Sequence, residues 1–210
     1  MVPMGLGFRA GLLLGIVIRI GIAQQQGFVD RTVGLISPAQ DTPLTAGLRW
    51  HDYAVQMAGP GTLFGQGVSA AFSQWNNSPA EWGQGGSGYG KRFGNNMAFN
   101  GVQCTLQHGT AAVVHEDNRY FASGKVTVAG RFGYALASPV TARKKNGVRS
   151  ISVSSVTGIV GASFISRAWS PPSWQGASNV AITAALSYAS MAGMNVAREF
   201  VPGIVQHFRK

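Results

Sequence analysis

Charge is what this sequence has least of, and acidic charge least of all. It holds 7 Asp and Glu against 17 Lys and Arg, and charged residues make up 11% of the chain. A soluble domain carries about 25%, so more than half of an ordinary solvated surface is missing. Cysteine occurs once, as Cys104. That excludes an internal disulfide, and its apolar and amide neighbours, with no cation beside it, make it read as a small buried side chain. No metal set is complete. His108 and His115 stand seven apart, whereas two ligands on one helix turn need the i and i+4 spacing. No cofactor motif is complete either, and no cofactor is expected. The net charge of +10 is not organised into an aromatic-interleaved basic stripe, so nucleic acid is not an expected partner.

What fills the deficit is Gly, Ala, Ser, Asn and Gln, a composition more typical of closely packed membrane helices than of aqueous surfaces. The 210 residues suffice for one domain with a terminal segment. Residues 1–23 combine Arg9, an apolar run from Ala10 to Ile18, and Gly21 and Ala23 before Gln24. This pattern fits a secretory signal peptide, with an uncleaved N-terminal anchor as the alternative because Arg19 interrupts the run. Either reading makes the protein exported or inserted. Residues 24–53 read as a polar lead-in. Within it Asp41-Thr42-Pro43 is a plausible helix start, and Leu44, Leu48 and Val55 oppose Arg49 and Asp52 on an amphipathic helix.

From Ala54 onward, in the region 54–210, five weakly hydrophobic segments end at charge, each of a length suited to a bilayer span of about 20 residues. They share rows of small residues at four-residue spacing. These are Gly61, Gly65, Ser69 and Ser73; Gly90, Gly94 and Ala98; Ala129, Gly133 and Ala137; Ser154, Gly158, Ala162 and Ser166; and Ala181, Ala185, Ala189, Gly193 and Ala197. Such a row forms one ridge of a helix, along which a neighbour can approach closely. The expected fold is therefore all-α, a bundle of about five Gly/Ala/Ser-rich helices embedded in a membrane. A soluble bundle with an Ala/Gly core is the alternative. Asn146-Gly147 between short extended flanks predicts one β-hairpin near 141–152. The amides Asn95, Asn96, Asn100, Gln103 and Gln107 crowd the second segment and require partners from other helices or water.

Chemistry-bearing residues concentrate between Glu81 and Tyr120. Gly83, Gly85, Gly86, Gly88 and Gly90 precede Lys91 and Arg92. A phosphate-binding loop would need a hydroxyl residue after the lysine and a strand before the glycines, and both are missing. His115, Glu116, Asp117 and Arg119 follow the second segment. Adjacent residues cannot all face one centre. The expected arrangement pairs Glu116 and Asp117 with Arg119 and with Lys91 or Arg92 at a helix-to-loop turn. Together with Glu81, these residues form the candidate polar cluster.

The blocks EWGQGGSGYGKRFG (81–94), HEDNRYF (115–121) and AREFVPGI (197–204) resemble a bacterial cell-envelope family that carries W-G-Q-G-x-x-G-Y-G-K-R-F-G, E-D-P-R-Y-F and E-F-x-P-D-I. The similarity covers about residues 44–205, with Asn118 and Gly203 standing where that pattern has proline and aspartate. The resemblance implies an envelope location and carries no assigned activity or catalytic residue. Taken together, the expected function is structural or scaffolding in the cell envelope. The expected partners are membrane lipid, other envelope proteins or further copies of the chain. The competing expectation is an envelope enzyme or binding protein acting on an acidic or phosphorylated lipid. A β-barrel is disfavoured because four-residue spacing prevails over strict alternation.

Overall fold

Hydroxyl caps and a proline mark where the helices begin. Thr45 accepts from Leu48 N, Thr127 from Gly130 N and Ser152 from Ser155 N, while Pro60 occupies the first turn of its helix, where its missing N–H costs nothing. The computed structural model describes residues 34, 36–144 and 147–208. In these it has six α-helices: α1 Ala46–Ala58, α2 Pro60–Trp75, α3 Gly85–Val114, α4 Val128–Ala137, α5 Val153–Ile165 and α6 Ala177–Phe208. Short 3-10 turns at Ala80–Trp82, Ser138–Val140, Ser166–Ala168 and Pro172–Trp174 join them. Between α4 and α5, strands β1 Thr141–Arg143 and β2 Arg149–Ile151 pair antiparallel, with Ala142 opposite Ser150. The chain divides into two compact units, 38–199 and the two chain ends, 1–37 with 200–210. The expected signal peptide or anchor at 1–23 lies outside the described residues, as does Asn146 of the expected turn. Gly147, its other half, takes a positive φ of 77°, which a glycine adopts without strain.

The protein is mainly helical, and α3 is the element on which α5, α2 and α1 pack, α5 making the most extensive contact. At the α3–α5 seam a Cβ on Gly158 would lie 2.9 Å from Gln107 Cβ and 3.1 Å from the Gln103 carbonyl oxygen. Ala162, one turn on, is fully buried. Here the absence of a side chain sets the helix separation. The other ridges differ from the expected seams. Among the described residues, no atom outside the local helix lies within 4 Å of a Cβ built on Gly61, Gly65, Gly90, Gly94 or Gly193. Ala98, Ala185 and Ala189 are exposed as well. The spacing identified one face of each helix but could not say whether another element of the chain covers it. Gly158→Ala is therefore expected to cost about 1–3 kcal/mol through overpacking. Gly94→Ala should be neutral or stabilising by up to about 1 kcal/mol, because an exposed glycine weakens a helix interior. Thermal denaturation of both variants measures the difference.

The expectation of five membrane-length spans also changes. At about 1.5 Å per residue, the 16 residues of α2, 10 of α4 and 13 of α5 fall short of a hydrocarbon core of about 30 Å. Among the described residues, one helix, α6, is long and apolar enough to cross a membrane. Tertiary structure splits the uncharged runs with turns that hydropathy and charge spacing do not register.

Polarity is distributed in an unusual way. The buried apolar side chains are mostly small, including Ala70, Ala111, Ala135, Ala162 and Ala192, with Tyr120, Phe121 and Ile159 the largest. Buried beside them are Arg92, Gln107, Glu116, Asn195, Glu199 and a series of serines. Large apolar side chains instead point outward. On α5 the inner face is Ser154, Ser155, Gly158, Ile159, Ala162 and Ser163, while Val153, Val156, Val160 and Phe164 form an exposed stripe. On α2, Phe64, Val68, Phe72 and Trp75 are exposed, Phe64 to 75% and Trp75 to 88%.

Candidate functional site

The HEDNRYF block is where the polar interior is organised. Helix α3 ends at His115 in the left-handed conformation, with φ 56° and its N–H bonded to the Ala111 carbonyl. That reversal carries Glu116 inward, and its side chain is 2% exposed. The carboxylate accepts from Val153 N at 3.0 Å, Ser154 N at 3.0 Å, Ser152 Oγ at 2.9 Å and Ser154 Oγ. These donors occupy the start of α5, where unpaired N–H groups and the helix dipole favour an anion. Burial opposes ionisation of Glu116, but hydrogen bonds from Ser154, Val153 and Ser152 outweigh it and hold its pKa below the ordinary value. Asn118 joins the same cluster, donating to Ser154 Oγ, with its Oδ1 at 3.1 Å an alternative acceptor for the single hydroxyl proton of Ser152.

Directly outside this cluster the chain forms a groove of about 510 Å³. Arg49, Arg119, Arg143, Lys144 and His115 line it together with Asp41 and Asp117. Asp117 pairs with Arg119 at 2.7 Å and bridges β1 through its backbone, exchanging hydrogen bonds with Arg143. Arg143 pairs with Asp41 at 2.9 Å and stacks on the Phe121 ring, its guanidinium carbon 3.9 Å from the centroid. Arg49 donates to the Glu116 carbonyl. The pairing with Asp117 strengthens the hold of Arg119 on its proton, against the effect of burial.

The expected polar cluster does not assemble as one site. Arg92 and His115 lie 23 residues apart along α3, a separation of about 34 Å at the rise of an α-helix. Arg92, 1% exposed, pairs with neither Glu116 nor Asp117. It donates instead to the Ser78, Pro79 and Gly83 carbonyls and to Gln74 Oε1, pinning the loop between α2 and α3. Lys91 is exposed beside it. Glu81 is exposed, and a hydrogen bond from Ser173 lowers its pKa. Sequence proximity thus joined two places that one long helix holds apart.

Three features escaped the sequence reading. Glu199 is buried and accepts from Tyr120 OH at 2.6 Å, Arg131 Nε at 2.9 Å, and Ser123 N and Oγ. Burial, then the hydrogen bond to Glu199 and its charge, raises the Tyr120 pKa far above the usual phenol value. Phe121 is the second, sitting as a platform for the Arg143 and Arg119 guanidinium groups. The third is a cavity of about 640 Å³ whose lining contains no ionisable side chain. Its only sequence signal is the crowding of amides on α3.

Comparison with protein-family models, curated proteins and solved structures finds no match for this chain. Among the described residues no group of His, Cys, Asp and Glu could hold a metal ion. The buried carboxylates are saturated by hydrogen bonds from hydroxyl, backbone and guanidinium groups rather than poised beside a nucleophile. Glu116 thereby ties the end of α3 to the start of α5, and Glu199 ties α6 to the segment that holds Tyr120 and Ser123.

Proposed function

We propose that the protein is a structural or scaffolding helical protein of a bacterial cell envelope, seated in membrane lipid. One observation carries this reading: serines such as Ser152, Ser154 and Ser163 and the hydrogen-bonded ionic groups of Arg92, Glu116 and Glu199 lie inside, while Phe64, Phe72, Trp75, Phe164 and Leu186 lie outside. In water such a distribution exposes apolar surface and hides polar surface, opposite to what hydrophobic burial favours. In lipid the same distribution is favourable, because close backbone packing and internal hydrogen bonds hold the helices together. Helix α6 fits this setting, since 22% of its most apolar 18-residue stretch is buried within the chain. The low charge and the resemblance of the 81–94 and 115–121 blocks to an envelope family point the same way. Alkaline carbonate washing of membranes that contain the full chain is the test. The protein should stay with the membrane pellet, and complete release into the wash would refute the reading.

The groove favours a second reading, binding of an acidic or phosphorylated lipid headgroup. Arg49, Arg119, Arg143 and Lys144 line it against two carboxylates, Asp41 and Asp117. Guanidinium and ammonium groups recognise phosphate by charge-assisted hydrogen bonds. Vesicle flotation should then show tighter binding to phosphatidylglycerol than to phosphatidylcholine. An Arg143→Gln, Lys144→Gln variant should lose most of that preference, and Lys91→Ala, outside the groove, should keep it. Equal binding to both lipids by the unaltered protein would reject this second reading.

A further inference from the structure

We propose that the open cavity between α2, α3, α5 and α6 is a binding site for a neutral saccharide, either free or as the headgroup of a glycolipid. The cavity measures about 640 Å³, within the range of about 300–1,000 Å³ that small-molecule sites occupy. Its lining is made of amides, hydroxyls, one tryptophan, one phenylalanine and aliphatic side chains, with no ionisable side chain; the polar part includes Gln66, Asn96, Gln103, Asn179 and Thr183, with Trp174 on the wall. A charged ligand would enter without a counter-charge, which is costly away from water. An apolar ligand would strand the amides. A sugar hydroxyl both donates and accepts, and a side-chain amide offers an acceptor oxygen and a two-proton donor on one group. The flat face of an indole suits the C–H face of a sugar ring.

Part of this lining is fixed in advance. Gln103 accepts from Ser187 Oγ at 2.7 Å and donates to Met191 Sδ, which joins α3 to α6 across the cavity. Asn100 donates to the Gln56 and Met57 carbonyls. Asn96 donates to the Gln66 carbonyl and Asn179 to the Ser173 carbonyl, so each keeps its side-chain oxygen for another donor. No cavity side chain is among the buried polar groups left without a partner, so these free acceptors are reachable from solvent. Side chains held by existing bonds lose little freedom when a ligand arrives. The crowding of Asn95, Asn96, Asn100 and Gln103 on α3, costly in a purely structural helix, acquires a purpose here. The inference is independent of whether α6 crosses lipid.

The test uses the full chain in dodecyldimethylamine oxide, a detergent without a sugar headgroup. Binding of maltose, cellobiose and dodecyl maltoside is measured by calorimetry, with glucose 6-phosphate as the charged comparison. Saturable binding of at least one neutral saccharide, stronger than that of glucose 6-phosphate, is expected. Binding of maltose and dodecyl maltoside alike identifies a free sugar ligand, and binding of dodecyl maltoside alone identifies a glycolipid headgroup, since excess detergent already competes for an alkyl chain. Asn96→Leu should weaken binding about tenfold, equivalent to about 1.4 kcal/mol. Thr183→Val, which keeps shape and removes the hydroxyl, serves where Asn96→Leu lowers thermal stability, and is likewise expected to weaken binding. Absence of saturable binding by any neutral saccharide, equal binding of glucose 6-phosphate, or unchanged affinity in correctly folded variants overturns the proposal.

Discussion

Glu116→Ala is expected to be among the most damaging single substitutions in this protein, costing about 3 kcal/mol or more, because hydrogen bonds to a charged group contribute about 1.5–3 kcal/mol each. The substitution leaves Val153 N, Ser154 N and the Ser152 and Ser154 hydroxyls without their shared acceptor in a buried place. It also detaches the start of α5 from the turn that ends α3. Glu116→Gln keeps the shape but brings an NH₂ against those donors, so it should lose roughly half of that stability. The pH dependence has a definite sign. The pKa of Glu116 in the folded protein lies below its ordinary value of 4.5, so its contribution is complete above that value. It is lost as pH falls through the lower folded value. Thermal denaturation of the unaltered protein and Glu116→Gln across the acid range reads this directly. The gap between their melting temperatures should be constant near neutrality and narrow on the acid side. A gap that persists unchanged at the lowest accessible pH would show that the carboxylate's charge contributes nothing.

Arg92→Ala is the second large effect. Arg92 satisfies three backbone carbonyls and the Gln74 side chain from one buried guanidinium. Its removal leaves the Pro79 and Gly83 carbonyls short of donors and opens a void under the loop between α2 and α3, for a loss of about 3–5 kcal/mol, the scale of breaking a buried charged network. Arg92→Lys tests geometry against charge. An ammonium keeps the positive charge but lacks the planar fork that reaches acceptors on two sides, so Lys should recover less than half of the loss. Chemical denaturation of both variants, with the exposed Lys91→Ala as the neutral comparison, measures this. Full rescue by lysine would mean that charge, not the spread of donors, holds the loop.

The two substitutions also show how much of the site could be read from the chain. His115, Glu116, Asp117 and Arg119 stood out because charge is so scarce, and the structure uses all four around the end of α3. Their partners were not readable. The donors to Glu116 come from Val153 and Ser154, 37 and 38 residues downstream, and no local pattern encodes a contact of that separation. Arg92 was grouped with these residues by sequence proximity alone, and the straight run of α3 separates them. Glu199 gave no signal because its partners Tyr120, Ser123 and Arg131 lie far away in sequence.

What the sequence determines by itself is local. Glycine at the hairpin turn and small-residue rows at four-residue spacing specify mostly helix with one short hairpin, because each depends on backbone geometry over one or two turns; the helix start expected at Asp41-Thr42-Pro43 falls later, at Ala46 with Thr45 as its cap. Scarcity of charge likewise follows from composition. Tertiary structure alone decides which faces of those helices meet. Gly158 faces Gln107, whereas among the described residues nothing outside the local helix lies within 4 Å of a Cβ built on Gly90 or Gly94. It also decides that serine lies inward and phenylalanine outward on the same helix, as on α5. Periodicity gives the angle between residues around a helix axis, but not the rotation of that helix against its neighbours. That rotation is set by contacts between residues distant in sequence.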